Sequence, residues 1–264
     1  MHDNLLMAAI SPHPPIIIPE VGGKECLKVQ KTITALQELA GQVVSANPGT
    51  IIIVTPHSYY DPNLFTVYSE KKLQGSFSRF GAPQVKLFCQ NDTDLIQLIQ
   101  DTTKDDFGYL NKIPSGASLD HGTCVPLYFI LKAGYKGKVI VINYTSLSPE
   151  KHLLFGEKLA KAISLSDKKI AFIASGDLSH RLIPEAPAGY EPDAKQFDEI
   201  FVCSVESGNY EDIINIDLEL RIKAGECAYN SMMVALGVLQ NKPLNNRLFS
   251  YEGPFGVGYM VATL

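Results

Sequence analysis

The amino-acid sequence predicts a single α/β domain, residues 1–264, in which helices flank a central mixed, largely parallel sheet. Short apolar runs alternate along the chain with longer amphipathic stretches, a pattern that is typical of βαβ units. Nothing in the 264 residues has the composition of a linker between domains. With 45% hydrophobic and 19% charged residues, the chain has enough apolar material for one large core.

The predicted strands are short aliphatic runs, several of them followed by proline or glycine. They cover residues 5–10, 50–55, 84–88, 138–143 and 169–175. Residues 63–68 and 73–77 are predicted to form a hairpin or an edge pair, and residues 251–264 a Gly-rich strand at the end of the chain. Antiparallel strands at the edges would make the sheet mixed.

The predicted helices have apolar residues at intervals of three or four. They lie near residues 24–46, 92–103, 123–133, 149–164, 193–206 and 226–239. The fourth has the clearest start, because serines that can cap a helix precede Pro149 in its first turn. His152 falls inside this helix and is interpreted as a structural or solvent-facing residue.

Charge and cysteine usage exclude several classes of protein. A net charge of −5 and a pI near 5.7 give no electrostatic footprint for nucleic acid. The five cysteines are widely spaced without a CxxC pair, so neither a disulfide framework nor a zinc knuckle is indicated. Residues 1–4 lack a basic region, and no later segment reaches a membrane-spanning length. We therefore expect a cytoplasmic protein that binds neither nucleic acid nor a membrane.

Two of the apolar runs end in the same way, with a proline and then a histidine. Residues 7–10 lead to Ser11-Pro12-His13, and residues 51–54 lead to Thr55-Pro56-His57. A single histidine beside a strand is more often a hydrogen-bonded structural group. Ligands of open α/β sheets bind at loops that follow strands, and neutral imidazoles are common metal ligands. The repetition therefore favours a metal site at His13 and His57.

Two further histidines are candidates for acid–base chemistry. His180 follows the run 169–174 in a loop with Asp177 and Ser179, which can orient its ring by hydrogen bonds. His121 lies beside Asp120 just before a predicted helix, where a helix-capping segment is the alternative interpretation. Four histidines on one ion would close the site, so His121 and His180 are assigned to proton transfer.

An oxygen-activating iron site also needs a carboxylate, because two imidazoles and one carboxylate leave three coordination positions open for a diol and dioxygen. Glu226, at the start of an apolar helix pattern, is the candidate third ligand, although a first-turn glutamate is also favoured by the helix dipole. Tyr59, together with Asp177 and Ser179, is assigned to the substrate pocket. Packing at a strand edge is the alternative for Tyr59.

The motifs SPHPP, TPHSYY, LDHGTCVPL, SGDLSH, GEC and EGPFGVGY together resemble the class III extradiol ring-cleavage dioxygenases of the LigB catalytic-subunit type. Within that superfamily the sequence is most similar to the Memo-like, AmmeMemoRadiSam-associated branch. The resemblance runs from His13 to the C-terminus. It implies a single α/β domain with a non-haem Fe(II) site.

The resemblance also implies roles for individual residues. Residues matching His13, His57 and Glu226 bind the metal, while those matching His121 and His180 contact oxygen or substrate and transfer protons. Memo-like members without dioxygenase activity have a cysteine near the third-ligand position, so Cys227 is the alternative ligand. Neighbouring residues at a helix start point roughly a hundred degrees apart, so we expect only one of Glu226 and Cys227 to face the metal.

The sequence therefore favours an Fe(II)-dependent dioxygenase that cleaves a catechol-type ring beside its hydroxyls, with a small aromatic diol and dioxygen as substrates. One alternative is a Memo-like metal-binding protein without ring-cleaving activity that works with partner proteins of a radical-SAM system. Another is a zinc-dependent hydrolase, because two histidines and a carboxylate also form a catalytic zinc site. Zinc and copper thus stay open as alternatives to iron, and a homo-oligomer stays open as the assembly.

Overall fold

The computed structural model describes residues 4–264, so residues 1–3 of the N-terminal segment considered above lie outside the described residues. The strands are β1 (Leu5–Ser11), β2 (Thr50–Thr55), β3 (Thr66–Tyr68), β4 (Lys72–Phe77), β5 (Ala82–Asn91), β6 (Asn111–Ile113), β7 (Lys138–Asn143), β8 (Ile170–Ser175), β9 (Arg247–Glu252) and β10 (Tyr259–Thr263). The helices are α1 (Pro19–Gly22), α2 (Gln30–Ala46), α3 (Thr93–Phe107), α4 (His121–Lys132), α5 (Pro149–Leu165), α6 (Ala194–Ser207), α7 (Glu211–Ile214), α8 (Leu218–Ala224) and α9 (Tyr229–Leu239). Short 3₁₀ turns lie at Pro15–Ile17, Gly23–Val29 and Ser78–Phe80.

These strands form one mixed sheet in the order β4-β5-β7-β2-β8-β1-β10-β9, with β3 paired to β7 and β6 paired to β3. The five strands from β5 to β1 are parallel to one another. At the two ends, β4 runs antiparallel to β5, and β10 and β9 continue antiparallel from β1. The predicted fold class, α/β with a mixed and largely parallel sheet, is confirmed.

Helices cover both faces of the sheet, which explains why the central strands are mostly apolar. All six residues of β2 are buried. Because side chains alternate across a strand, Ile52 and Val54 enter one core with α5 and α9, while Ile51 and Ile53 enter the other with α2 and α4. The four middle residues of β2, 51–54, are all apolar, as expected for a strand that is buried on both faces.

The expected pairing of residues 63–68 with 73–77 is wrong. β3 pairs with β6 and β7, whereas β4 pairs with β5. The turn at Ser78–Phe80 ends at Gly81, which has a φ of +81°, and it folds β5 back onto β4. β5 therefore occupies the edge of β4 that was expected to pair with residues 63–68. Meanwhile Phe65 and Val67 are buried in the core that contains α5.

Other boundaries also differ from the sequence prediction. The predicted C-terminal strand is an antiparallel pair, β9 and β10, separated by the glycine-rich turn 253–258. The helix expected at 226–239 begins at Tyr229, because Glu226 lies before it and accepts the Tyr229 backbone N–H at 2.7 Å. The first predicted helix is a 3₁₀ turn up to Val29 followed by α2. Within residues 4–264, no helix combines the length and the apolar character that a membrane span requires.

We predict that His152 makes stability depend on pH. Its side chain in α5 is buried, with Nδ1 2.9 Å from the Ser148 carbonyl oxygen, so the structural interpretation holds. Burial lowers the pKa of His152 from 6.5 to about 4. The unfolded chain therefore binds the proton more tightly, and folding stability falls as pH drops from 6.5 towards 4, by up to about 3 kcal/mol.

Chemical denaturation at pH 7 and pH 4.5 measures this loss, with His152→Gln as the comparison. The variant should lose less stability than the wild type between the two values, because every other titrating group is common to both chains. Equal losses in both proteins would contradict the assignment.

Candidate metal centre

Three parallel strands bring the predicted site together. β1 and β2 are the two neighbours of β8, so the carboxyl ends of these strands lie side by side. His13 follows β1, His57 follows β2, and the loop with Asp177 and His180 follows β8. This is the edge at which open α/β sheets bind ligands.

His13, His57 and Cys227 form a group that can hold a metal ion. One nitrogen of each imidazole and the Cys227 sulfur all lie within 4.8 Å of one another. Cys227 Sγ is 3.5 Å from His13 Nε2. In the described part of the chain, this is the one group of three or more histidine, cysteine or acidic side chains with that spacing.

Ser175 fixes the tautomer of His13. The Ser175 hydroxyl donates its only proton to the Gly122 carbonyl oxygen at 2.5 Å. It must therefore accept a hydrogen bond from His13 Nδ1, which lies 2.9 Å away. The proton of the neutral ring is then on Nδ1, and the lone pair of Nε2 faces Cys227. A second hydrogen bond of this kind is the usual way in which a metal-binding histidine is oriented.

The electrostatic surroundings keep the imidazoles neutral, as a metal ligand must be. Burial, with further contributions from His121 and His180, holds the pKa of His13 well below its ordinary value. Loss of hydration and the neighbouring histidines lower the pKa of His57 to about 2. Burial also lowers the pKa of His121, although Asp120 and Asp177 oppose the shift. Two free imidazole lone pairs beside a sulfur therefore fit a divalent or monovalent transition metal.

Cys227 is held in place by the loop after β8. Its Sγ accepts the Asp177 backbone N–H at 3.3 Å, and its own N–H donates to the Asp177 carbonyl oxygen at 3.1 Å. Gly176 allows the loop after β8 to approach the segment that carries Cys227, since a Cβ at this position would lie 2.3 Å from the Ala228 Cα. Burial, followed by the charge of Asp177, raises the pKa of the Cys227 thiol well above its ordinary value.

Glu226 is not part of the group formed by the two histidines and Cys227. Its Oε1 is 3.3 Å from Arg221 Nε, and its Oε2 accepts the Tyr229 backbone N–H. The side chain thus binds the first N–H of α9 and forms a buried ion pair, from a position before the helix and not within its first turn as expected. Adjacent residues diverge here, and Cys227 is the one that faces the histidines.

His121 borders the metal group, and His180 lies close enough to it to influence the pKa of His13 and His57. The His121 ring stacks on His57 with centroids 4.3 Å apart and meets His13 edge-on at 5.4 Å. It is the first residue of α4, whose capping side chain is Asp120. His180 donates its backbone N–H to the Ala224 carbonyl oxygen, and its buried Nδ1 has no hydrogen-bond partner within residues 4–264.

Asp177 and Ser179 support the loop that carries His180. Asp177 Oδ1 accepts the His13 backbone N–H at 2.8 Å, and burial raises the pKa of this carboxyl to about 6. The Ser179 hydroxyl donates to the Ala224 carbonyl oxygen, while its N–H donates to Asp198. The Ser179 hydroxyl is thus committed to the backbone, whereas the second oxygen of Asp177, Oδ2, lies 3.9 Å from His13 Nε2.

A cavity of 720 Å³ opens beside this group of histidines. Its wall includes His57, His121 and the predicted Tyr59, but neither Asp177 nor Ser179. It also includes residues that the sequence patterns did not single out, among them Tyr68, Arg79 and Phe80. The turn that carries Arg79 and Phe80 belongs to the β4–β5 hairpin, which the sequence patterns do not predict, so no pattern identifies these two residues. Ser175 carried a weak signal as the last residue of a strand next to the histidine loop.

The fold and this strand-end histidine site define a known class. The chain matches the family model described as the catalytic LigB subunit of aromatic ring-opening dioxygenase over residues 7–262, and it belongs to that family.

Two curated relatives and one solved structure show how far the similarity reaches. The chain is 38% identical over 264 residues to protein CA_C1420 of Clostridium acetobutylicum, an alignment that covers 96% of this chain and 56% of that protein. It is 27% identical over 248 residues to 4,5-DOPA dioxygenase extradiol of Mirabilis jalapa, covering 88% and 89% of the two chains. The crystal structure of the uncharacterized protein JW3007 from Escherichia coli K12 shares the fold, with a TM-score of 0.66 at 14% identity over 98% and 99% of the chains. The chain thus spans about half the length of the Clostridium relative.

We predict that Ser175→Ala weakens metal binding by about tenfold to a hundredfold, because His13 loses the hydrogen bond that fixes its tautomer. Titration with Co(II), followed by absorbance, measures the affinity. Ser204→Ala removes another buried serine hydroxyl away from the site and serves as the control. An unchanged affinity in folded Ser175→Ala would contradict the role of this hydrogen bond.

Proposed function

We propose that this chain is a mononuclear metal-binding protein of the LigB family, in which His13, His57 and Cys227 hold the ion. We further propose that it binds a small hydroxylated aromatic in the adjoining cavity without cleaving the ring. The observation that carries the proposal is the donor set. The Cys227 sulfur faces His13 Nε2 at 3.5 Å, while the Glu226 carboxylate is bound by Arg221 and by the start of α9.

The chemistry of the donors supports this choice. A thiolate with two imidazoles is a softer donor set than two imidazoles and a carboxylate. It therefore favours copper(I) or zinc over iron(II). Copper is the redox-active ion of this pair and would supply electron transfer beside the cavity when bound, whereas iron(II) belongs to the ring-cleaving alternative. Zinc stays as the alternative ion, and a hydrolase as the alternative activity.

The chain's own residues would bind and orient the aromatic ligand. His57 and His121 present stacked rings at one end of the cavity, and the Phe80 ring meets His121 at a centroid distance of 5.5 Å. A flat ring can pack against this aromatic wall. The lowered pKa of His121 leaves its ring neutral, so it can accept a proton from a ligand hydroxyl.

The second candidate function is extradiol ring cleavage with Fe(II), dioxygen and a catechol-type diol. Membership of the LigB family and the similarity to 4,5-DOPA dioxygenase extradiol favour it. The unpartnered Nδ1 of His180 is the local observation that favours it, because a buried nitrogen without a partner can exchange a proton with a ligand. In this function Glu226 stays the predicted third ligand.

The first proposal includes partner proteins of a radical-SAM system, because the sequence motifs resemble those of the Memo-like, AmmeMemoRadiSam-associated branch. The alignment with the Clostridium relative covers 56% of that protein. A cytoplasmic location and a homo-oligomer stay predictions.

Cobalt substitution tests the donor set. We expect Co(II)-loaded protein to show an intense sulfur-to-cobalt charge-transfer band, because Cys227 supplies a thiolate. The band should vanish in Cys227→Ser and persist in Glu226→Gln, whose amide oxygen can still accept the Tyr229 N–H. His13→Ala and His57→Ala should lose most of the bound metal. A wild-type spectrum without the band, together with metal loss in Glu226→Gln, would contradict the proposal.

Turnover tests the choice between the two candidate functions. Protein reconstituted with Fe(II) under argon and then given oxygen and a panel of catechols should form no ring-opened product, as followed by absorbance and mass spectrometry. Ring-opened product would replace the first candidate by the second. In that case His180→Gln should retain metal and lose turnover, since it removes the acid–base group.

A further inference from the structure

The strand β9 leaves one edge of the sheet open. It pairs with β10 alone, and within residues 4–264 its outer N–H and C=O groups bond to no further backbone group. At the opposite end of the sheet the edge of β4 is partly covered, because the Leu119 N–H donates to the Gln74 carbonyl oxygen at 2.8 Å. A six-residue strand with an unpaired edge is a template for pairing with another chain.

A groove of 390 Å³ runs along this open edge. Its wall contains Lys31, Thr34 and Glu38 of α2 together with residues 249–251 of β9. The Ser250 hydroxyl is buried there and has no hydrogen-bond partner within residues 4–264. The outer edge of β9 and the neighbouring side of α2, residues 31–38, therefore form one open surface, which we call the β9 surface.

Each end of the β9 surface carries one positive and one negative side chain. At one end, Glu252 Oε1 accepts the Thr32 backbone N–H at 2.7 Å, and Lys31 is the residue before Thr32 in α2. At the other end, Arg247 Nη1 donates to Glu38 Oε1 at 2.8 Å. The strand is thus negative where the helix is positive, and this order is reversed at the other end.

The sequence of β9, RLFSYE, is self-complementary in an antiparallel pairing. Two copies paired about the centre of the strand place Arg247 opposite Glu252 at both ends and Leu248 opposite Tyr251 between them. The faces agree, because Arg247 and Glu252 both reach α2, whereas Leu248 and Tyr251 both pack against the core that contains α5 and α9. Directly opposite side chains of paired strands share a face, so each of these pairs can form.

The same arrangement matches the charges of α2. A two-fold axis through the centre of β9 brings the Glu252 end of one copy to the Arg247 end of the other. Lys31 of one copy then approaches Glu38 of the other, whereas a parallel pairing would bring like charges together. Charged residues at an edge usually discourage pairing with other chains. Here their positions favour a second copy of this chain in one orientation.

We propose that two copies of this chain associate through the β9 surface as a two-fold dimer, with antiparallel β9 strands that join the two sheets into one. A closed two-fold interface uses the same patch on both subunits, so the patch must complement itself. The association needs neither the metal nor an aromatic ligand, and its failure would leave the proposed function untouched.

Light scattering and sedimentation equilibrium of the full chain, at rising protein concentration, measure this association. We expect a dimer with a dissociation constant in the micromolar range, because one strand pair and two helix sides bury a small interface. The dissociation constant should rise with salt concentration, since opposite exposed charges meet at both ends.

Charge reversals in α2 test the orientation of the two copies. Lys31→Glu and Glu38→Lys each bring like charges together at both ends, so each variant alone should dimerise at least about tenfold more weakly than the wild type. Both side chains are exposed, so neither change disturbs the core. A one-to-one mixture of the two variants restores opposite charges at both ends and should recover the dimer. Lys161→Glu makes the same charge change on an exposed position of α5 and should dimerise as the wild type does.

Several outcomes would overturn the inference. If the wild type stays monomeric, the register shift between β9 and β10 and the terminal charges of β9 serve to protect an open edge. A dimer that neither reversal weakens, or that Lys161→Glu weakens equally, does not use the β9 surface. Failure of the mixed variants to recover the dimer would exclude the antiparallel orientation.

Discussion

The parallel pairing of β1, β8 and β2 is the constraint on which the site depends. The pairing runs to the last residues of the strands, with Ser11 opposite Ser175 and Val54 opposite Ala174. Three loops therefore leave the sheet at one edge, and two of them have a histidine as their second residue. Because the strands are buried on both faces, their register is fixed by two hydrophobic cores. The histidines thus meet as a consequence of core packing, before any ligand contributes.

A close backbone contact and an ion pair then decide which donor completes the group. The approach of Gly176 to Ala228 brings the turn before α9 against the loop after β8. Arg221, in α8, forms an ion pair with Glu226 of that turn, and its guanidinium also stacks on the Tyr229 ring at 3.9 Å. The carboxylate is held by Arg221 and the Tyr229 N–H, whereas the thiol of Cys227 lies against His13. A ring-opening dioxygenase fold can therefore present a soft donor set, since the chemistry of a site is set by its residues and the fold does not dictate it.

The sequence patterns predict the fold class correctly, but they do not predict how the strands at the edge of the sheet pair. Period-two and unbroken apolar runs identify buried strands such as β2 and β8, because such strands must satisfy both faces. The partners of β3 and β4 depend on which strand edges are free once the rest of the sheet has assembled. The sequence of either strand alone does not specify its partner. The same holds for Arg79 and Phe80, which reach the cavity only because β5 folds back onto β4.

For the site, the sequence by itself determined that His13 and His57 are placed on equivalent strand ends, since proline and the end of each apolar run mark the loop. It also reduced the third donor to two neighbours, Glu226 and Cys227. Only the tertiary structure decided between their positions, because the choice depends on Arg221, Tyr229 and Asp177, which approach through space. Local sequence sets which groups stand at a strand end, whereas long-range packing and charge pairing set the direction in which each side chain points.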